Sequence, residues 1–189
     1  MAGASVVRSC AKLRHDYDDG KQRERDASAI DRGDPKMNAE ARLIELGIIL
    51  PDYPKTFGRY VQAVLVGDML HIAGHGPARV EGIPAIGKIG AELTFEEGIV
   101  AARHVGLNTL AIMKHHLGTL DRVVRFVKMI GRVHAVPDFA RHAEVVDGYT
   151  DLMISIFGDA ALCARAAPGM GSAPFKMAMI ADALVQVRP

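Results

Sequence analysis

Apolar residues in this chain recur with two different periods, and the switch between them divides it into elements. Ala39 to Leu46 has the spacing of a short helix that ends at Gly47, and Pro51 and Pro54 force an extended loop behind it. Tyr60 to Val66 is rich in β-branched and aromatic residues, which predicts a strand. Gly67-Asp68 is a two-residue hairpin signal, and Met69 to Ala73 is the returning strand. The stretch Gly74-His75-Gly76-Pro77, with Gly82, Gly87 and Gly90 beyond it, reads as loop. Thr94-Phe95-Glu96-Glu97 is a capping box that opens a helix running to about Leu117 and stopping at Gly118. On that helix Glu96, Arg103 and Lys114 share one narrow stripe, so only one side of it meets water.

The pattern then repeats. Arg122 to Ala135 is mostly β-branched and predicts a strand. Pro137-Asp138 should start a second helix, with Phe139, Ala143, Val146, Thr150, Met153 and Phe157 on its apolar face and Gly158 at its end. Ala164 to Ala167 and Lys176 to Val187 complete the set, the last alternating Met177, Met179, Ala181, Ala183 and Val185 on one side. The predicted order is β-β-α-β-α-β-β without internal repeat: an α+β sandwich with both helices on one face of a mixed sheet. The other face, lined by residues such as Val64 and Met179, is expected to be apolar and therefore to need a partner, which implies a homo-oligomer.

Charge changes the picture at the front of the chain. Residues 1–36 hold 15 of the 45 charged residues, both signs mixed, with few and aperiodic apolar positions. Such a segment cannot bury enough to offset its ordering entropy, so 1–36 is expected to be a disordered tail and 37–189 the folded domain, with Met37 a possible start. The tail has no apolar h-region and many acids, unlike a signal or transit peptide. No apolar run approaches the roughly 20 residues of a spanning helix. Cys10 and Cys163 lie far apart and match neither a disulfide framework nor a zinc pattern, which suits a reducing, cytoplasmic setting. The formal net charge of +1 supplies no basic footprint for nucleic acid.

Candidate chemistry is sparse. His71 with His75, and His115 with His116, lack a carboxylate or cysteine at ligand spacing, so no metal is expected. Gly87-Lys88-Ile89-Gly90 and Gly169-Met170-Gly171 lack phosphate-loop spacing, and no G-x-S-x-G is present. Arg122, Arg125, Lys128 and Arg132 make one strand basic, as expected of a solvated sheet edge. Arg165 stands apart, alone among the small apolar residues 160–167. A guanidinium there needs either an internal ion pair or an anionic ligand gripped by its planar fork.

Taken together, Gly58-Arg59-Tyr60-Val61-Gln62-Ala63-Val64, Gly74-His75-Gly76-Pro77, Asp121-Arg122-Val123-Val124-Arg125, Ala164-Arg165-Ala166 and Pro174 resemble the successive signature stretches of the RidA/YjgF family, from about Leu43 to Val187. The resemblance implies a chorismate-mutase-like fold, homotrimers with three inter-subunit clefts, and cofactor-free hydrolysis of enamines and imines such as 2-aminoacrylate to 2-oxoacids and ammonia. It matches Arg165 to the carboxylate clamp, Tyr60 to the pocket tyrosine and Ala167 to the residue whose backbone carbonyl orients water. The sequence departs from the pattern at Ile180, where active deaminases carry a glutamate; Asp182 is the nearest acid along the strand. His75 replaces a common glutamine, Asp147 a common asparagine beside the substrate, and Pro168 is unusual after the arginine. His75 would take over proton transfer if it faced the cleft.

Three functions follow from the resemblance. The first is an imine or enamine deaminase using Arg165 and Tyr60. The second is a non-catalytic protein that binds small carboxylates such as 2-oxoacids at the same cleft, favoured by Ile180. The third, a ribonuclease role sometimes attached to the family, is opposed by the charge balance.

Overall fold

Pairing in the central sheet follows the order β1-β2-β6-β3-β4, so the last strand in the sequence lies in the middle. The computed structural model describes residues 38–77, 82–83 and 85–189; the expected tail over 1–36, with Cys10 and Met37, lies outside the described residues. The elements are α1 (Ala39–Glu45), β1 (Ala63–Val66), β2 (Met69–His75), α2 (Phe95–Leu117), β3 (Val123–His134), α3 (His142–Phe157), β4 (Ala164–Ala166), β5 (Gly169–Met170) and β6 (Met179–Val187). Strands β1, β2, β6 and β3 pair antiparallel, while β4 and β5 run parallel to β3. The sheet is mixed, and α2 and α3 pack against each other on one side of it, as the residue pattern predicts.

Local chemistry explains the turns. Gly67 has φ +60 at the first central position of the β1–β2 hairpin, the conformation a two-residue type II′ turn demands. Asp68 then ties this turn to the end of β6, accepting from the Gln186 amide at 2.7 Å and, through its carbonyl, from the Val187 N–H at 2.8 Å. At the start of α2 the capping box is complete: Thr94 Oγ1 accepts from the Glu97 N–H at 3.2 Å and Glu97 from the Thr94 N–H at 2.8 Å. Helices α2 and α3 approach closely because Gly148 lies against the Ile99 carbonyl, where a Cβ would collide.

Several boundaries differ from expectation, and the last strand begins at Met179 rather than Lys176 because Pro174–Lys176 form a 3-10 turn. β1 begins at Ala63 rather than Tyr60, because residues 57–60 form bends. β2 continues two residues into the glycine stretch, to His75, through an irregularity between Ile72 and His75. α3 begins at His142, after a turn in which the Phe139 N–H bonds the Val136 carbonyl at 3.1 Å; Arg141 at the N-cap offers no side-chain cap. The buried face of α3 is Val145, Val146, Tyr149, Leu152, Met153, Ile156 and Phe157, and Ala143 is exposed.

Alternation along β6 sorts the two sheet faces. Met179, Ala181, Ala183, Val185 and Val187 are buried toward the helices. Met179 is therefore a core residue, not part of the open face as expected. The open face carries Val64, Ile130, Ile180 and Leu184, but also Arg125, Lys128, Arg132 and Asp182, so it is mixed rather than apolar. β3 is an interior strand, flanked by β6 and β4, which overturns the edge explanation for its cations.

Candidate functional site

Arg165 sits in β4, the short strand at one margin of the sheet, in register with Met129 of β3. In parallel pairing, partners share a face, so Arg165 leans to the helix-covered side, toward the exposed rim of α3. There Nη1 donates to Asp147 Oδ1 at 2.5 Å and to Thr150 Oγ1 at 2.9 Å. Asp147 and Thr150 lie three apart on α3, the spacing that puts two side chains on one helix face. Among the described residues Nε and Nη2 of Arg165 make no hydrogen bond, and its side chain is 26% exposed. One corner of the guanidinium is thus anchored while the Nε/Nη2 edge stays open, a fork with the geometry for a carboxylate. Ala164 and Ala166, both exposed, alternate with Arg165 and face the other side of the sheet, in register with Lys128 and Ile130.

Around Arg165 the remaining chemistry is modest. Ala167, two residues on, is half-buried; the next carbonyl, that of Pro168, accepts from the Val133 N–H at 2.9 Å, so the proline keeps the loop tied to β3 without needing an N–H of its own. Burial pushes the Cys163 thiol up, against the pull of Arg165 and Arg125. Ile180 and Asp182 face the other side of the sheet, and Asp182 is committed to an ion pair with Arg132 across β3 and β6. The acid that meets Arg165 is Asp147.

His75 is placed differently from the expectation of a cleft-facing base. It is 7% exposed, turned toward α2. Nδ1 lies 2.9 Å from the Ala73 carbonyl, and Nε2 lies 2.9 Å from Thr109 Oγ1 and 3.3 Å from the Val105 carbonyl. Both ring nitrogens face hydrogen-bond partners, and the Thr109 hydroxyl itself lies within donating distance of the Val105 carbonyl at 3.1 Å. Burial lowers the pKa of His75, against hydrogen bonds to the Ala73 and Val105 carbonyls that favour the cation. The side chain is a neutral interior link between β2 and α2.

Tyr60 lies just ahead of β1 and is 44% exposed. It lines an open depression of about 440 Å³ with Tyr53, Lys55, Thr56, Gln62 and His116. Tyr53 stacks on His115 with ring centroids 4.0 Å apart, an aromatic pairing that sequence reasoning did not foresee. β1 and β4 are the two ends of the β1-β2-β6-β3-β4 order. Four strand spacings, about 19 Å, separate them. Within one chain Arg165 and Asp147 come together, and Tyr60 does not join them. Among the described residues no group of three or more His, Cys, Asp or Glu could hold a metal, and no helix is long and apolar enough to cross a membrane.

Residues 40–181 match the family model described as "YjgF/chorismate mutase-like, putative endoribonuclease". Protein TCP17 of Trypanosoma cruzi is 39% identical over 148 residues, covering 78% of this chain and 92% of that protein. Among solved structures, the protein Atu1372 of Agrobacterium tumefaciens is 32% identical with a TM-score of 0.72, over 80% of this chain and 94% of that one. A "putative endoribonuclease" from Shewanella oneidensis has a TM-score of 0.75 at 27% identity, over 79% of this chain and 99% of that one.

Proposed function

Since the chain belongs to the YjgF/chorismate-mutase-like family, we propose that it hydrolyses enamine and imine derivatives of amino acids to 2-oxoacids and ammonia. The observation that carries this reading is the half-anchored guanidinium of Arg165, whose Nη1 is held by Asp147 and Thr150 while the Nε/Nη2 edge is open. A substrate carboxylate docks on that edge in two parallel charge-assisted bonds, each worth about 1.5–3 kcal/mol. Docking fixes the neighbouring imine carbon, and water held by the Ala167 carbonyl adds to it. The nitrogen takes up a proton, and the carbinolamine collapses to the oxoacid with release of ammonia. The reaction balances with water alone and asks for positioning more than for a strong base.

The functional unit in this proposal is a homotrimer. Tyr60 and Arg165 stand at opposite sheet margins of one chain, so a cleft that uses both is built between two copies. A second reading, a non-catalytic protein for small carboxylates, is favoured by Ile180, which has no proton to give where active relatives carry a glutamate.

An amino-acid oxidase generating imines in situ, with semicarbazide competing for them, separates the two. The deaminase should suppress semicarbazone formation for at least one amino acid, and Arg165→Ala should lose that suppression. No suppression with any amino acid, together with saturable binding of a 2-oxoacid, would establish the second reading.

A further inference from the structure

The partner of Arg165 has a consequence for which ligand the site accepts. Asp147 and Arg165 form a pair of formal charge zero, with the Asp147 carboxylate half exposed at 47% on the Nη1 corner of the same guanidinium. Thr150 completes the hold on Nη1, so the acid sits on one corner and the fork remains available on the other. A ligand that is only an anion would put a second carboxylate on the same guanidinium, close to the first, and the two would repel. A ligand with a cationic nitrogen next to its carboxylate avoids that penalty, because its carboxylate takes Arg165 and its nitrogen faces Asp147.

We propose that Asp147 is a specificity-determining residue that makes this site select zwitterions, amino-acid-like or 2-iminium acids, over plain 2-oxoacid anions. The inference rests on the carboxylate-clamp reading of Arg165 given above. It assigns Asp147 two effects in the reaction: it favours the protonated, electrophilic form of the imine, and it disfavours retention of the anionic product. Both follow from one negative charge placed where the substrate carries a positive one and the product carries none.

Alanine and pyruvate test this directly, being matched in size and differing at the nitrogen. Binding of each to the full chain is followed by NMR titration near neutral pH, for wild type, Asp147→Asn and Thr150→Val. Wild type should prefer alanine, and Asp147→Asn should shift the alanine-to-pyruvate affinity ratio toward pyruvate by about fivefold or more. Thr150→Val loosens the anchor without changing the charge, so both ligands should weaken together and the ratio should hold. A ratio unchanged in Asp147→Asn while both ligands bind would overturn the inference and leave the clamp intact. A ratio moved equally by Thr150→Val would also overturn it, because placement of Arg165 would then be the cause. Failure of both ligands to bind any of the three proteins would overturn the clamp reading itself.

Discussion

At Arg165 one guanidinium serves two masters, an internal acid and an open edge, and that division is visible only in three dimensions. The sequence singles out Arg165 and Asp147 separately and leaves an ion pair and an anionic ligand as alternatives; the structure supplies the pair and still leaves a fork free. Thr150 was legible only as a position on an apolar stripe, since nothing in its neighbours marks it as a donor's anchor. His75 went the other way, because a β-bulge turns it inward, and a bulge leaves no mark in a glycine-rich sequence. Its pKa is lowered by burial, so the folded chain binds fewer protons than the unfolded one between the folded value and about 6.5. Stability contributed by His75 is therefore complete above that range and is lost as pH falls through it. Glutamine at this position keeps one donor and one acceptor for Ala73 and Thr109 but cannot titrate. Thermal melts of His75→Gln should lose less stability between about pH 7 and about pH 5 than wild type does. An equal loss in both proteins would mean that other groups carry the acid sensitivity.

Helices were the most legible elements, because capping and periodicity are local. The α2 box at Thr94 and Glu97 and the glycines at 47, 118 and 158 end or begin helices where the pattern puts them. What the pattern leaves out is how closely two helices approach. Gly148 reads as an ordinary helix glycine, yet it is the point at which α3 rests on the backbone of α2 at Ile99. Gly148→Ala should destabilise the protein by about 2–3 kcal/mol in urea unfolding, with the excess over a normal glycine-to-alanine change coming from overpacking. Gly171→Ala, with nothing within 4 Å of its Cβ position, is the control and should be nearly neutral. α1 is held by charge as well as by its buried Ala39 and Leu43: Glu40 accepts from the Leu120 N–H at 2.9 Å and from Lys114 at 2.7 Å. Burial would raise this carboxyl, but Leu120, Lys114 and Thr119 together bring it below its ordinary value. Glu40→Gln should cost about 1–2 kcal/mol at neutral pH and little in acid, where the wild-type carboxylate is protonated anyway. Denaturant midpoints at the two pH values give the comparison.

For the molecule as a whole, the layer arrangement and five of the six strands were legible; the short β5 and the strand neighbours were not. Reading Arg122 to Arg132 as an edge was reasonable from charge alone, but β6 and β4 flank that strand, and only the long-range pairing could say so. The same order sets Tyr60 and Arg165 at opposite margins, which gives the proposed trimer a direct test. Arg165→Ala and Tyr60→Ala should each be inactive alone, and subunits of the two mixed at equal amounts should regain about a quarter of wild-type activity, since that share of clefts draws both intact residues from different copies. No recovery on mixing would place the work of both residues within a single chain. One feature of the sheet also governs when it can come into being. β6, made last, is the strand that joins the β1–β2 hairpin to β3. During synthesis the β1–β2 hairpin and β3 have no common edge until β6 has emerged to pair with both. The sheet is therefore completed by insertion in its middle, and the half-built sheet is the state most exposed to wrong partners.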